Sequence, residues 1–175
     1  MEILYLFPEP LPLPRARGVQ VMNTVAALAR QGVKVVLAYV PTPKNENPFT
    51  AYGLPAPPAA ELIPLARGLP WPCGWLPVRS NRLFFLRLRC WLRRRARRGN
   101  TPQVIMVRHL KVAHALLQTF PDIPLLYEAH EVFAEVAPPG KRASLARIEE
   151  TVLRRAAALV AVTHGVADDL KKRYR

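Results

Sequence analysis

The sequence predicts a Rossmann-like α/β fold, with helices layered on both faces of a mostly parallel sheet (α/β/α). Two observations predict it. Short apolar runs recur at Ile3–Phe7, Val33–Val40, Val104–Val107, Pro124–Tyr127 and Ala158–Val162. The stretches between several of them carry a helical spacing of apolar residues, and short buried strands split by helices form βαβ units of a parallel sheet.

Ile3–Phe7 (ILYLF) is the first strand. Pro8, Pro10, Pro12 and Pro14 follow it. Proline fixes φ and lacks an N–H, so a stiff loop is predicted there. A helix then runs from Gly18 to about Gln31, with Val21, Thr24, Val25 and Leu28 inward and Gly32 as its C-cap. Val33–Val40 is the second strand. No G-x-G-x-x-G follows the first strand, which sets aside a nicotinamide dehydrogenase.

Residues 41–78 hold ten prolines, so little regular structure is predicted. Glu61–Leu65 is expected as a short strand at a sheet edge, where proline is tolerated. Trp71, Cys73 and Trp75 fall in a predicted loop. Asn81–Arg98 is predicted as an amphipathic helix. At about 100° per residue, Phe84, Phe85, Leu88, Trp91, Leu92 and Ala96 share one arc. Arg82, Arg87, Arg89, Arg93, Arg94, Arg97 and Arg98 fall outside it, and Arg95 alone lies within.

Gln103–Glu135 organises the rest. Val104–Val107 is a strand stopped by Arg108 and His109. A helix follows through Val112, Ala113, Leu116 and Leu117, is broken by Pro121, and leads to the strand Pro124–Tyr127. Parallel sheets gather their chemistry at the carboxyl ends of strands. Those ends carry Arg108 and His109, then Glu128, His130 and Glu131. After a loop over Val136–Gly140, a helix is expected from about Lys141 to Ala157, with Leu145, Ile148, Val152 and Leu153 inward. The strand Ala158–Val162, the turn Thr163-His164-Gly165 and a helix over Val166–Tyr174 complete the chain.

At 175 residues the expectation is a single domain over 1–175, and a half-hydrophobic composition is enough to give it a core. No apolar run is long enough to cross a membrane, and the first seven residues do not form a signal peptide. Two cysteines suit a reducing cytosol. No Cys or His pair has metal-ligand spacing, so neither a metal nor a cofactor is expected. The net charge is +14. Residues 79–98, with nine arginines and no acid, supply +9 of it. The basicity is thus one local patch on an otherwise ordinary domain, as a docking surface for phosphates or anionic lipid would be.

In order, MEILYLF, a proline/glycine loop, a helix ending RQGVKVVLA, a strand ending VRH, then YEAHE, then EETVLRRAAALVAVTHGVADDLKKRY resemble the N-terminal half of the GT-B glycosyltransferases. The nearest group is the retaining "group 1", family 4-like enzymes. The likeness spans nearly the whole chain and rests on the ordered set of motifs. It implies half of a two-domain enzyme that moves a sugar from a nucleotide-sugar substrate to a glycan or lipid-linked acceptor. The C-terminal donor-binding domain is absent from these residues, and would come in cis or as a separate chain. This half alone is expected to be inactive.

The resemblance puts His130 where family members contact the donor sugar near the reaction centre, and marks it as the catalytic candidate. Gly18 stands where the family has a glycine-rich loop, here reduced to Gly18 followed by Val19. Arg108, His109, Glu128, Glu131, Thr163 and His164 are the other donor- or acceptor-binding candidates, all at one sheet edge if the strand order is 3-2-1-4-5-6. Each has a plainer reading too: a strand end is where any polar residue belongs, His164 would serve as a cap, and surface carboxylates pair to little effect.

The arginine helix has three readings. Its charged side is the solvated face of a core helix. Alternatively Arg87, Arg89, Arg93, Arg94, Arg97 and Arg98 attach the protein to the inner face of an anionic membrane, making it a cytoplasmic, peripheral enzyme or the membrane-anchoring half of a two-chain one. The third is a non-enzymatic nucleic-acid-binding module, which no accompanying helix-turn-helix, zinc or RNP motif supports.

Overall fold

A computed structural model describes residues 1–68 and 81–174. Trp71, Cys73 and Trp75, placed by sequence in a loop, lie outside the described residues. The chain forms two compact units, Met1–Gln103 and Val104–Arg175.

The first unit contains β1 (Glu2–Leu11), α1 (Ala16–Arg30), β2 (Lys34–Pro41), α2 (Pro48–Ala51), β3 (Ala60–Pro64) and α3 (Asn81–Arg97). Its strands are parallel in the order β3-β2-β1, with Ile3 beside Val35 and Leu37 beside Leu62. Ile3 to Phe7 and Val35 to Val40 are all buried, as strands covered on both faces require.

The predicted loop after Phe7 is corrected. β1 continues through Pro8 and Pro10 to Leu11, with a shift of register between Phe7 and Pro10. A bulge of this kind interrupts the regular ladder, which is where a strand tolerates a residue with no N–H to donate. Helix α1 starts at Ala16, before Gly18, and buries Gly18, Val21, Met22, Val25, Ala26 and Ala29. Thr24 and Leu28, expected inward, are half-buried. Gly32 has φ +78, the left-handed geometry of a residue just past a helix end, and its N–H bonds the Ala29 carbonyl at 3.1 Å.

Helix α3 buries Phe84, Leu88 and Leu92. Gly99, at φ +71, ends it, and Asn100 N–H returns to the Arg95 carbonyl at 3.0 Å. Arg95, the one arginine on the apolar arc, meets the Glu2 carboxylate at 2.7 Å, and Lys34 meets the same carboxylate at 2.8 Å. Glu2 is therefore the clamp that joins β1, the start of β2 and α3. Burial alone would raise its carboxyl, but hydrogen bonds from Lys34 and Arg95, with their charges, outweigh this and hold it below the usual range.

The second unit contains β4 (Val104–Val107), α4 (Leu110–Thr119), β5 (Leu125–Ala129), α5 (Phe133–Val136), α6 (Pro139–Arg155), β6 (Ala158–Ala161) and α7 (His164–Tyr174). Its strands are parallel in the order β4-β5-β6, with Val107 beside Tyr127 and Ala129 beside Ala161. The fold class is as expected: Rossmann-like α/β, every paired strand parallel.

Two helices begin earlier than their apolar pattern. Pro139 opens α6, a position where its missing N–H costs nothing. Thr163 Oγ accepts from Val166 N–H at 3.2 Å and draws His164 and Gly165 into α7. The inward face of α6 also differs. Glu149 and Val152 are fully buried, while Leu145, Ile148 and Leu153 are half-buried.

Glu2→Gln should lower stability at neutral pH by about 2 kcal/mol, because it removes a charged acceptor from two cationic donors. A carboxyl lowered by folding stabilises above its ordinary pKa, and that contribution fades as pH falls through the lowered value. The gap between variant and parent in urea unfolding should therefore be full at pH 7 and close progressively below about pH 4.

Candidate functional site

The parallel register of β4 and β5 builds the centre of the site. Val107 lies beside Tyr127, so one further step places Arg108 beside Glu128. Side chains two residues apart on a strand share a face, so Glu128 and His130 project to the same side. The contacts follow from that placement. Arg108 Nη2 lies 3.0 Å from His130 Nδ1, and His130 Nε2 lies 2.8 Å from Glu128 Oε1.

A guanidinium only donates, so Nδ1 must accept. The ring proton then sits on Nε2 and is donated to the Glu128 carboxylate. Both ring nitrogens of His130 are thus held by protein groups, and the ring is fixed in one tautomer. Glu128 is only 4% exposed, and a carboxylate taken from water needs such partners. Arg108 keeps one unmet donor: Nη1 is buried and has no hydrogen-bond partner among the described residues.

Tyr127, on the opposite face of β5, is fully buried. Burial first, and then the nearby Glu149 and Glu131 carboxylates and Tyr174, push its hydroxyl well above the usual tyrosine range. It stays protonated throughout the physiological range.

The other candidates separate from this cluster. His109 is the N-cap residue of α4, and its carbonyl accepts from Val112 and Ala113 N–H at 3.0 and 2.9 Å. Glu131 is exposed, one residue beyond His130. Thr163 and His164 follow β6 and are exposed. They line an apolar cavity of about 610 Å³ with Leu153, Leu159, Leu170 and Tyr174. Arg108, Glu128 and His130 are not among its lining residues.

Gly18 belongs to the first unit, in the first turn of α1. Its N–H is already given to the Arg15 carbonyl at 2.9 Å. The space a Cβ would take is filled by the Tyr52 hydroxyl and by the Leu13 carbonyl, 2.7 Å away. That hydroxyl accepts from Leu13 N–H at 2.6 Å and donates to Leu13 C=O at 2.7 Å. The glycine therefore has a packing reason that sequence alone does not display.

On α3, Arg82, Arg93, Arg94 and Arg97 are exposed, as is Arg98 just beyond it. Arg87 is tied to the Ala66 carbonyl, and Arg89 is half-buried. Leu86, 44% exposed, and Cys90 lie on the same outward side as Arg93 and Arg97 by the helical step. No helix is long and apolar enough to cross a membrane, and no group of three or more His, Cys, Asp or Glu is placed to hold a metal, among the described residues.

The residue missed by sequence reasoning is Glu149. Its signal was a carboxylate on the inward stripe of α6, four residues after Leu145 and three before Val152.

The family model for Glycosyltransferase Family 4 matches residues 18–175. A search of curated proteins found no match. Among solved structures, sucrose-phosphate synthase from Thermosynechococcus elongatus is 14% identical, with a TM-score of 0.67 over 98% of this chain and 44% of that one. UGT89C1 of Arabidopsis thaliana, complexed with UDP, is 17% identical, with a TM-score of 0.61 over 99% of this chain and 49% of that one. HepE of Anabaena, in complex with UDP and glucose, is 13% identical, with a TM-score of 0.54 over 99% of this chain and 41% of that one. At these identities the likeness shows the fold, that of the N-terminal half of GT-B glycosyltransferases. The chain spans less than half the length of each of these structures.

Gly18→Ala should destabilise the protein by about 2 kcal/mol, since its Cβ meets backbone that cannot yield. Adding Tyr52→Phe should recover part of the loss by removing the hydroxyl from the same space. Urea midpoints of the single and double variants check both statements, and a neutral Gly18→Ala would contradict the packing role.

Proposed function

The chain belongs to glycosyltransferase family 4, and from that premise we propose that it is the acceptor-side half of a retaining enzyme. That enzyme moves a hexosyl group from a nucleotide-sugar to a glycan or lipid-linked acceptor. The observation that carries the reading to particular atoms is the Arg108–His130–Glu128 cluster at the carboxyl ends of β4 and β5. Complexes of the Arabidopsis protein with UDP, and of the Anabaena protein with UDP and glucose, support a nucleotide-sugar as donor.

Transfer from a nucleotide-sugar needs hydrogen bonds to hydroxyls, stabilisation of oxocarbenium-like charge, and positive groups near the leaving phosphates. In this proposal His130 stands nearest the reacting carbon, oriented by Arg108 and Glu128. Gly18, His109, Glu131, Thr163 and His164 serve the rest of the donor and acceptor surface. The donor nucleotide is held by a second domain, in the same polypeptide or a separate one. No cofactor or metal is required by this scheme, with the nucleotide-sugar acting as substrate.

The protein works in the cytoplasm, peripheral to the inner face of the membrane. The exposed arginines of α3, chiefly Arg93, Arg94, Arg97 and Arg98, attract anionic headgroups at about 1 kcal/mol each. Family membership does not favour a separate nucleic-acid module built on this helix.

Three outcomes check the proposal. In a polypeptide carrying both halves, His130→Ala should lower transfer about 100-fold or more, with the fold retained. The 175 residues alone should transfer no sugar from any of a panel of nucleotide-sugars, and measurable turnover would overturn the two-half assignment. Replacing Arg93, Arg94, Arg97 and Arg98 with Gln should weaken binding to phosphatidylserine vesicles at least about 100-fold in low salt. Parallel titration with duplex DNA should show the weaker binding of the two, and the reverse order would remove the membrane assignment.

A further inference from the structure

The carboxylate of Glu149 lies at the end of three converging donors. Its Oε1 accepts from Phe133 N–H at 2.8 Å. Its Oε2 accepts from Ala134 N–H at 3.2 Å and from the Tyr174 hydroxyl at 2.6 Å. The side chain is fully buried. No intrahelical carbonyl is available to the first N–H groups of a short helix, so Glu149 supplies the acceptors that α5 lacks.

This fixes more than α5. The β5–β6 ladder holds the chain as far as Ala129, whose carbonyl accepts from Val162 N–H at 3.1 Å. Glu149 holds it again at Phe133. Only His130, Glu131 and Val132 lie between the two anchors, and Val132 is itself buried. A three-residue bridge pinned at both ends has little freedom, so the position of the His130 ring depends on the far anchor.

We infer that Glu149 is a positioning residue: from α6, through Phe133 and Ala134, it sets the loop that presents His130 to Arg108 and Glu128. Tyr174, near the end of α7, closes the arrangement by donating to the same carboxylate. A glutamine cannot replace it, because its amide NH₂ would face donors. The inference rests on the functional reading of His130, and its test needs no substrate.

The test is NMR on the ¹⁵N-labelled 175-residue chain carrying Glu149→Gln or Tyr174→Phe. In Glu149→Gln, hydrogen exchange at the Phe133 and Ala134 amides should quicken at least about tenfold relative to amides of β1 and β2. The His130 ring nitrogen signals should also move from those of the proton-on-Nε2 tautomer. Tyr174→Phe, which removes one donor of three, should give a smaller change of the same sign.

A folded Glu149→Gln with unchanged loop exchange and unchanged His130 signals would overturn the inference. So would a uniform acceleration of exchange with the His130 signals unmoved, since that marks a purely structural role. If Glu149→Gln does not fold, Tyr174→Phe decides on the same two readouts. Loss of positioning is read here from the loop and the ring, whereas failure of the functional reading of His130 would appear as undiminished transfer by His130→Ala.

Discussion

A carboxylate removed from water must be met by donors, and the second unit removes two. Glu128 and Glu149 are the buried charged side chains among the described residues, and the local architecture arranges itself to satisfy them. Glu128 takes the ring proton of His130. Glu149 takes two backbone N–H groups and a phenol. One carboxylate thus sets the orientation of the histidine, and the other sets the loop on which that histidine stands. Removing either would leave donors facing an apolar interior, which costs more than the bonds themselves are worth.

The first unit handles its charge differently. Its helix α3 carries six arginines outside the apolar arc and one within it, and Arg98 follows directly. The inward one, Arg95, is tolerated because Glu2 waits at the start of β1, and because its guanidinium also stacks over the Trp91 ring at 4.9 Å. That pairing separates structural charge from surface charge. Arg95 contributes to holding the helix in place, and Arg87 is anchored to a backbone carbonyl. The arginines left to solvent concentrate toward the helix's C-terminal end, where cations also favour the helix dipole. The contacts that hold this helix and the charge it leaves to solvent thus come from different residues of one run.

Family membership and these local arrangements meet at the sheet edge. Parallel strands deliver their following residues to one side, and β4 and β5 deliver Arg108, Glu128 and His130 into hydrogen-bond contact. The residues after β6 are delivered instead to an apolar cavity bounded by α6 and α7. The edge therefore holds two environments, one polar and internally hydrogen-bonded save for Arg108 Nη1, the other apolar and bordered by Thr163 and His164. A ligand meeting the first would compete with hydrogen bonds already made, and one meeting the second would find mainly aliphatic surface.

The sequence alone determined the fold class, because apolar runs and helical spacing are properties of neighbouring residues along the chain. It placed five of the six strands to within a residue or two, including β3 at its proline-marked edge, and it marked Arg95 as the one arginine on the apolar arc. It also put Arg108, Glu128 and His130 at strand ends, where parallel-sheet chemistry collects. Proline was misjudged in β1, since a bulge that absorbs Pro8 and Pro10 depends on the partner strand's register and not on local propensity. Glu149 was missed, and Gly18 lacked its packing explanation, for the same reason. Their partners lie 15 or more residues away, at Phe133 and Ala134 for the one and at Tyr52 for the other. Which of two ring nitrogens carries a proton, and which carboxylate is worth burying, are settled only when distant segments are packed together, because a hydrogen bond acts over about 3 Å of space and takes no account of separation along the chain.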